Sequence, residues 1–420
     1  MASVSMKYGK TDERIEIEDQ VLLGVAVPPP FFGQTNEAKV LLDALANPIG
    51  TPLLKDLAKG KRNAVILISD FTRPTPSKRI LPFLLKELAA GGLESSRISV
   101  VIATGLHEIP DDATSHKMLG DELMGKLSVT PHDPDAPDLI DLGKTSRGTP
   151  LKVNRIVAEA DLRLSISTVD PHHLYGWSGG AKNIIPGTAS RETVYYHHGR
   201  TRTHKGGIDR IEGNIFREDA EEAARMAGLH FILNVNLNED GQIAFAAAGD
   251  VVGAHRKLVE RGRKFVSFSI PQKPDIMIVG VGGPPRDADF WQAQGKGLLN
   301  TAHAIRDGGI MILVAQCDRG MGTDGFRKYM LNTLEEIRRR QQVENFSVPL
   351  FKAFTTIDFM DRCGLYLVAP ALKKEDLPHF PVQFFSSVRE ALTAARRKMG
   401  PQSKVLAVPD GSRVVIALPG

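Results

Sequence analysis

The chain has 420 residues, 42% of them hydrophobic and 24% charged, which is the composition of an ordinary globular protein and excludes a disordered or fibrous form. One hydrophobic core seldom serves more than roughly 250–300 residues, so two domains are expected. The net charge of +4 is slight and unclustered, which argues against a nucleic-acid partner.

Taken in chain order, Met1–Glu16 is largely polar, without the apolar middle of a signal peptide, and no run of 18 apolar residues follows it anywhere. A soluble, cytoplasmic protein with no membrane partner is expected. Residues 64–70 form a short apolar run, as in a strand buried on both faces of a parallel sheet. Ile80, Leu81, Leu84, Leu85 and Leu88 then recur at helical spacing until Gly91-Gly92. Residues 98–104 and 162–169 read as further strands. Residues 231–238 and 242–247 read as a hairpin joined through Glu239-Asp240-Gly241, and 251–265 as a helix. After Pro271-Gln272-Lys273-Pro274 the pattern restarts: strand 276–281, helix 293–305, strand 309–315, a helix near 331–340, strand 365–369, helix 387–398, and strands 405–408 and 414–418. This predicts two α/β domains with mainly parallel sheets, over residues 1–271 and 272–420, the last strand being able to pack back on the first domain.

Ligands of such sheets gather beyond the carboxyl ends of the strands. Three segments there carry chemistry. Asp70-Phe71-Thr72-Arg73-Pro74 places an arginine fork at the mouth of the sheet, although a proline-stiffened turn capped by Asp is an equal reading. His107 follows the next strand; a lone histidine is more often structural. The third runs from Asp170 to Lys182, with His172, His173, the turn Ser178-Gly179-Gly180 and Lys182, and is followed by His197 and His198. Five of the 12 histidines fall between His172 and His204, and imidazoles are the commonest metal ligands and general acid/bases near neutral pH. The glycines let backbone approach a ligand, and either His197 or His198 can supply a metal-binding nitrogen. Gly280-Val281-Gly282-Gly283-Pro284-Pro285 fails as a dinucleotide fingerprint because Pro285 stands at the third glycine, and Gly179-Gly180-Ala181-Lys182 lacks P-loop spacing. Cys317 and Cys363 suit reduced core thiols, which excludes a cysteine-built zinc site.

Together, Asp70-x-Thr72-Arg73-Pro74, Gly105-Leu106-His107, Pro171-His172, Gly176-x-Ser178-Gly179-Gly180-x-Lys182, Ile185-Pro186-Gly187, His198 and Gly213-Asn214 resemble the nickel-dependent lactate racemase family. Gly282-Gly283, Trp291-Gln292 and Lys296 extend the resemblance through the second half. It implies an active site in the cleft between two domains and racemisation or epimerisation of a small-molecule 2-hydroxy acid. The cofactor implied is a nickel-pincer nucleotide, a Ni(II) pyridinium-3-thioamide-5-thiocarboxylate mononucleotide made by cofactor-biosynthesis accessory proteins. It would be tethered through Lys182, with nickel on His198, and cradled by Asp70, Thr72, Ser178, Gly179 and Gly180. His107 and His172 would be the paired acid/bases, while Arg73, Gln292 and Lys296 would hold the substrate. Glu108 stands where the family usually has arginine, Gln292 and Lys296 are four residues apart where the family has three, and Tyr175 and Trp177 enlarge the loop. These changes touch the substrate shell and leave the substrate's side chain open. The basic run Arg200, Arg202 and Lys205 would favour polar or dianionic acids. Two other readings are a His-metal hydrolase using His172 and His198 around zinc, and a non-catalytic homologue that binds a hydroxy acid or nucleotide.

Overall fold

The computed structural model describes residues 1–27, 36–204, 206–238 and 240–418. They form two compact units, Pro30–Phe265 and the combination of Met1–Pro29 with Val266–Gly420.

The strand Ala64–Ser69 is buried at every residue, which is why its sequence is apolar without alternation, and it lies in the middle of the sheet of unit Pro30–Phe265. Its parallel neighbours are Ile98–Ala103 on one side and Leu162–Thr168 on the other. Ser128–Pro131 continues the first side in parallel, Phe231–Leu237 continues the second, and Ile243–Gly249 closes that edge antiparallel. The chain therefore steps outward in one direction, returns across Ala64–Ser69 and builds outward in the other, creating a topological switch point at the carboxyl ends of the three central strands. Asp70, His107 and Asp170 all follow those ends. The helix Ser77–Ala90 buries Ile80, Leu81, Leu84 and Leu88 against this sheet, as their spacing predicts. The hairpin is present, although Glu239 of its turn lies outside the described residues.

In the second unit all six strands of the main sheet pair in parallel, in the order Gln383–Phe384, Gly364–Val368, Ile310–Val314, Ile276–Gly280, Val405–Val408, Leu22–Val25. The last of these comes from the N-terminus. Ahead of it, Ala2–Tyr8 and Thr11–Ile17 form an antiparallel hairpin whose Val4, Met6, Ile15 and Ile17 pack with Ile276, Ile312 and the helix Val388–Met399. This corrects the linear division at residue 271. The alternation Val4-Ser5-Met6 and Ile15-Glu16-Ile17 is a period-two strand pattern diluted by charged outward positions, and it binds the first residues to the C-terminal sheet. The last strand, Val415–Ala417, pairs in parallel with Ser267–Ser269, which lie within the expected span 1–271 but group by contact with the C-terminal sheet. The predicted helix 293–305 is replaced by a short helix Phe290–Ala293, a π turn Gln294–Leu298 and one more helical turn Leu299–Thr301. Among the described residues no helix is long and apolar enough to cross a membrane.

Ile15 is 2% exposed inside this core, so Ile15→Ala should destabilise the unit that contains the C-terminal sheet by about 2–5 kcal/mol. Urea unfolding would show it as a lower transition midpoint; an unchanged midpoint would mean that the hairpin is peripheral.

Candidate active site

Two clusters form at the switch point. In the first, Asp70 Oδ2 lies 2.6 Å from His107 Nδ1, while Asp70 Oδ1 accepts the Thr72 N–H at 2.8 Å and the Thr72 hydroxyl at 2.5 Å. Burial acts to raise the Asp70 pKa, but the hydrogen bond and charge of His107, the Arg73 charge and the Thr72 hydroxyl outweigh it and hold the carboxyl below its ordinary value. An ionised carboxylate only accepts, so His107 Nδ1 carries a proton, and in the neutral ring Nε2 is the acceptor. The His107 side chain is 43% exposed, so this nitrogen sits on an accessible ring. A cavity of about 580 Å³ opens beside the pair, with Arg73, Thr75, Glu108 and Lys117 in its wall.

The second cluster is built on the loop from Pro171 to Asn183. His172 pairs with Gly176 in a short antiparallel ladder, and its Nδ1 accepts the N–H groups of Leu174 at 3.1 Å and Tyr175 at 3.3 Å. The proton of the neutral His172 ring is therefore on Nε2, the opposite tautomer from His107. His173 stacks on it, 4.7 Å between ring centroids. Ser178 ties the loop to the strand end, donating to Thr168 O at 2.9 Å and accepting the Asp170 N–H at 2.8 Å. Gly179 and Gly180 follow at φ +72° and +61°, where side-chain-bearing residues are strained, and a Cβ on Gly180 would stand 3.0 Å from His255 Cδ2. They begin the turn Gly180–Asn183, which carries Lys182 and is anchored by Asn183 Nδ2 donating to Ser165 Oγ at 2.9 Å and Ile166 O at 3.0 Å. Lys182 is buried, its Nζ 4.2 Å from the centroid of the Tyr175 ring. The two clusters are joined where Gly105 N–H donates to Gly187 O at 2.9 Å.

Two buried side chains that sequence reading missed hold the loop from behind. Arg217, on the helix Ile215–Met226, donates to the carbonyls of Tyr175 at 3.4 Å, of Gly179 at 3.1 Å and of Trp177. His255 Nε2 donates to Ser178 O at 2.8 Å, and its Nδ1 accepts from Arg256 Nη1 at 3.2 Å. Glu221 balances the cations, 2.8 Å from Arg256 and 3.9 Å from Arg217. No local signal marks these two residues, because each lies on a helix far along the chain and only the fold brings them to the loop.

The helix Arg191–Gly199 starts at Ser190, whose hydroxyl accepts the Thr193 N–H, and presents His197 and His198 in its last turn. His197 is fully buried, donates from Nε2 to Phe216 O at 3.1 Å, and is pushed down to about 4 by burial against the pull of Asp219. It is a structural residue. His198 is held well below its ordinary value by burial and then by the charges of His197 and Lys182, so its ring is neutral at pH 7, the form that binds a metal. Arg200 departs from the basic-run expectation: it donates to Asp219 Oδ2 at 3.0 Å and to Arg147 O, so it is a tie between elements rather than a substrate-facing cation. Lys205 lies outside the described residues.

Gln292 and Lys296 belong to the other unit. The Gln292 N–H donates to Asp289 Oδ1 at 2.8 Å, and Lys296 sits in the π turn, where Leu299 N–H reaches back to Gln294 O. A π turn absorbs an extra residue into a helix, which accommodates the four-residue spacing of this pair. The helix Val348–Met360, not read from the sequence, brings Lys352 Nζ to 4.0 Å from the Trp291 ring centroid.

An α/β protein with acid/base, amine and metal-binding candidates at one switch point is thus defined. Residues 8–208 match the lactate racemase N-terminal domain and residues 270–416 the lactate racemase C-terminal domain. The lactate racemase of Thermoanaerobacterium thermosaccharolyticum is 31% identical, with 99% of both chains covered, and that of Lactiplantibacillus plantarum is 28% identical over 99% of this chain and 100% of that one. The structure of the lactate racemase apoprotein from T. thermosaccharolyticum superposes with a TM-score of 0.92 at 28% identity, covering 99% of this chain and 100% of that chain. A protein from Thermotoga maritima shares the fold at a TM-score of 0.66 and 18% identity, covering 91% of this chain and 98% of that chain. The chain belongs to the lactate racemase family.

Burial, then the Arg217 charge, holds the His255 imidazole well below its ordinary value, outweighing the hydrogen bond to Ser178. A histidine with a depressed folded pKa contributes stability that is full above its unfolded value near 6.5 and is lost as pH falls below it. Between pH 6.5 and 5, the stability of the parent should therefore fall more steeply than that of His255→Gln, by up to about 1.4 kcal/mol per pH unit. Urea titrations at several pH values measure both slopes, and equal slopes would show that His255 is not the titrating group.

Proposed function

We propose that the protein is a racemase or epimerase of 2-hydroxy acids that works with a nickel-pincer nucleotide. The observation that carries this reading is the contrast between His107 Nδ1, which faces the Asp70 carboxylate, and His172 Nδ1, which accepts two backbone N–H groups, so that the two neutral rings would present an acceptor and an N–H respectively at Nε2. Inverting a carbon that bears a hydroxyl needs a base for the hydroxyl proton on one face and a donor on the other, and the two exchange roles in the reverse direction. Asp70 keeps the His107 proton on Nδ1 and stabilises the ring when Nε2 takes a second one. Two backbone N–H groups do the corresponding work at His172 Nδ1. Arg73, at the mouth of the sheet, offers a planar fork for the substrate carboxylate, while Gln292 and Lys296 are assigned to the same task on the family resemblance.

The residues present fit the cofactor. Lys182 is a buried primary amine against an aromatic face, suited to tethering, and Gly179 and Gly180 let the turn that carries it pack closely on Val169, Asn234 and His255. His198 offers one neutral nitrogen. Among the described residues no group of three or more His, Cys, Asp or Glu side chains is placed to hold a metal, so a metal at His198 must bring its other ligands with it. A pincer does so, whereas the zinc hydrolase reading lacks a third ligand. Bound there, the nucleotide would accept the α-hydrogen as hydride, avoiding a second negative charge beside the carboxylate. The protein's part is to orient the acid, move the hydroxyl proton and exclude water. Both curated relatives are named lactate racemase, which supports the reaction class.

Coexpression with cofactor-producing accessory proteins should give a mass adduct on Lys182 that is absent from Lys182→Ala. His107→Gln and His172→Gln should keep the adduct yet lower kcat by about 10²–10⁴ on the preferred acid, followed as loss of optical purity across enantiopure 2-hydroxy acids. A parent protein that stays unmodified, or racemises as fast without either histidine, would refute the reading.

A further inference from the structure

The proposed mechanism leaves unused a fully buried aromatic ring at the centre of the second cluster. Tyr175 is 0% exposed, and five basic side chains converge on it. Lys182 Nζ lies 4.2 Å from the ring centroid, and the Arg217 guanidinium carbon lies 5.7 Å from it. His172 meets the ring edge-on at 5.6 Å and 78°, His198 at 5.8 Å and 61°, and His197 stacks on it at 5.6 Å and 14°.

A tyrosine that only filled space would still need its hydroxyl well paired, since a buried O–H without a good partner is costly. Here the hydroxyl reaches Ile185 O and His197 Nδ1 at 3.4 Å each, the long limit of a hydrogen bond. The ring is therefore the working part. Its negative face attracts an ammonium, and that attraction strengthens where water is excluded.

We infer that Tyr175 is a positioning residue, whose ring face holds the Lys182 ammonium in place and whose surroundings set the angles of the His172 and His198 imidazoles. The roles of those three groups rest on the function proposed above; their placement by the ring does not. Without an aromatic face, the long lysine stem has many rotamers and its ammonium shares a buried region with Arg217. The backbone of Tyr175 serves the same end, because its carbonyl accepts from Arg217 and its N–H donates to His172 Nδ1.

The test varies the charge of the ring face between two rings that both lack the hydroxyl: Tyr175→Phe, and pentafluorophenylalanine placed at 175 by amber suppression. In crystals of the apoprotein, phenylalanine should keep Nζ within about 6 Å of the ring, while the fluorinated ring, whose face no longer attracts cations, should release it. After coexpression with the accessory proteins, the fraction of Lys182 carrying the adduct should stay within about twofold of the parent for phenylalanine and fall about fivefold to tenfold for the fluorinated ring. Thermal midpoints and adduct fractions are read together, so that any overpacking by the larger fluorinated ring at this fully buried site is separated from the loss of the cation-attracting face. An ammonium that stays against the fluorinated ring, or equal adduct fractions for the two rings, would overturn the inference. If not even the parent forms an adduct, the proposed cofactor fails, and the crystallographic comparison still decides the role of Tyr175.

Discussion

The site depends on one buried guanidinium. Arg217 has no exposed surface, and its donors go to three carbonyls of a single irregular loop, those of Tyr175, Trp177 and Gly179. A loop that leaves its sheet and turns through two left-handed glycines cannot pair its carbonyls in a ladder, and buried carbonyls without donors would cost more than the turn could bear. One planar fork with five N–H groups answers several at once, as a lysine ammonium could not. The cost of burying that charge is met through Glu221, which Arg256 also binds, and Arg256 in turn donates to the histidine that holds Ser178 O. Every member is satisfied by the next, the condition under which a buried polar network rigidifies a structure.

The two candidate acid/bases are prepared by different means, and this follows from where each lies on the sheet. His107 follows a central strand whose neighbour ends in Asp70, so a carboxylate is at hand to take the Nδ1 proton. His172 enters the irregular loop, where the N–H groups of Leu174 and Tyr175 turn toward its ring, so its Nδ1 becomes an acceptor instead. Parallel strands on both sides of the switch point thus give two imidazoles of opposite polarity without any difference in residue type.

Much of this was legible in the sequence. The central strands show as unbroken apolar runs because they are buried on both faces, and the helix Ser77–Ala90 shows through its leucine spacing. Asp70, His107, His172, Lys182 and His198 stood out by residue type and by position after strands. What escaped notice was long-range. The N-terminal hairpin alternates apolar and charged residues, a pattern that composition alone reads as polar, and its partner strands lie more than 250 residues away. The helix Ile215–Met226 turns Arg217, Asp219 and Glu221 inward, although charged residues on a helix ordinarily mark the solvent face. The local sequence holds no sign of that inversion, because its cause is the set of carbonyls and cations waiting on the loop.

The same inversion explains how so many basic groups share one region. Asp219 accepts from Thr145 at 2.6 Å, Thr149 at 2.5 Å and Arg200 at 3.0 Å, while Glu221 serves Arg217 and Arg256. Both carboxylates are therefore committed to arginines behind the loop, and the three inner histidines, 197, 198 and 255, are kept neutral by burial. Neutral imidazoles neither repel Lys182 nor compete for its charge, and they remain able to donate a lone pair to a metal or a proton to a carbonyl. Placed behind the loop, Asp219 and Glu221 stiffen its backbone, while on the loop itself the Tyr175 ring face lies against Lys182.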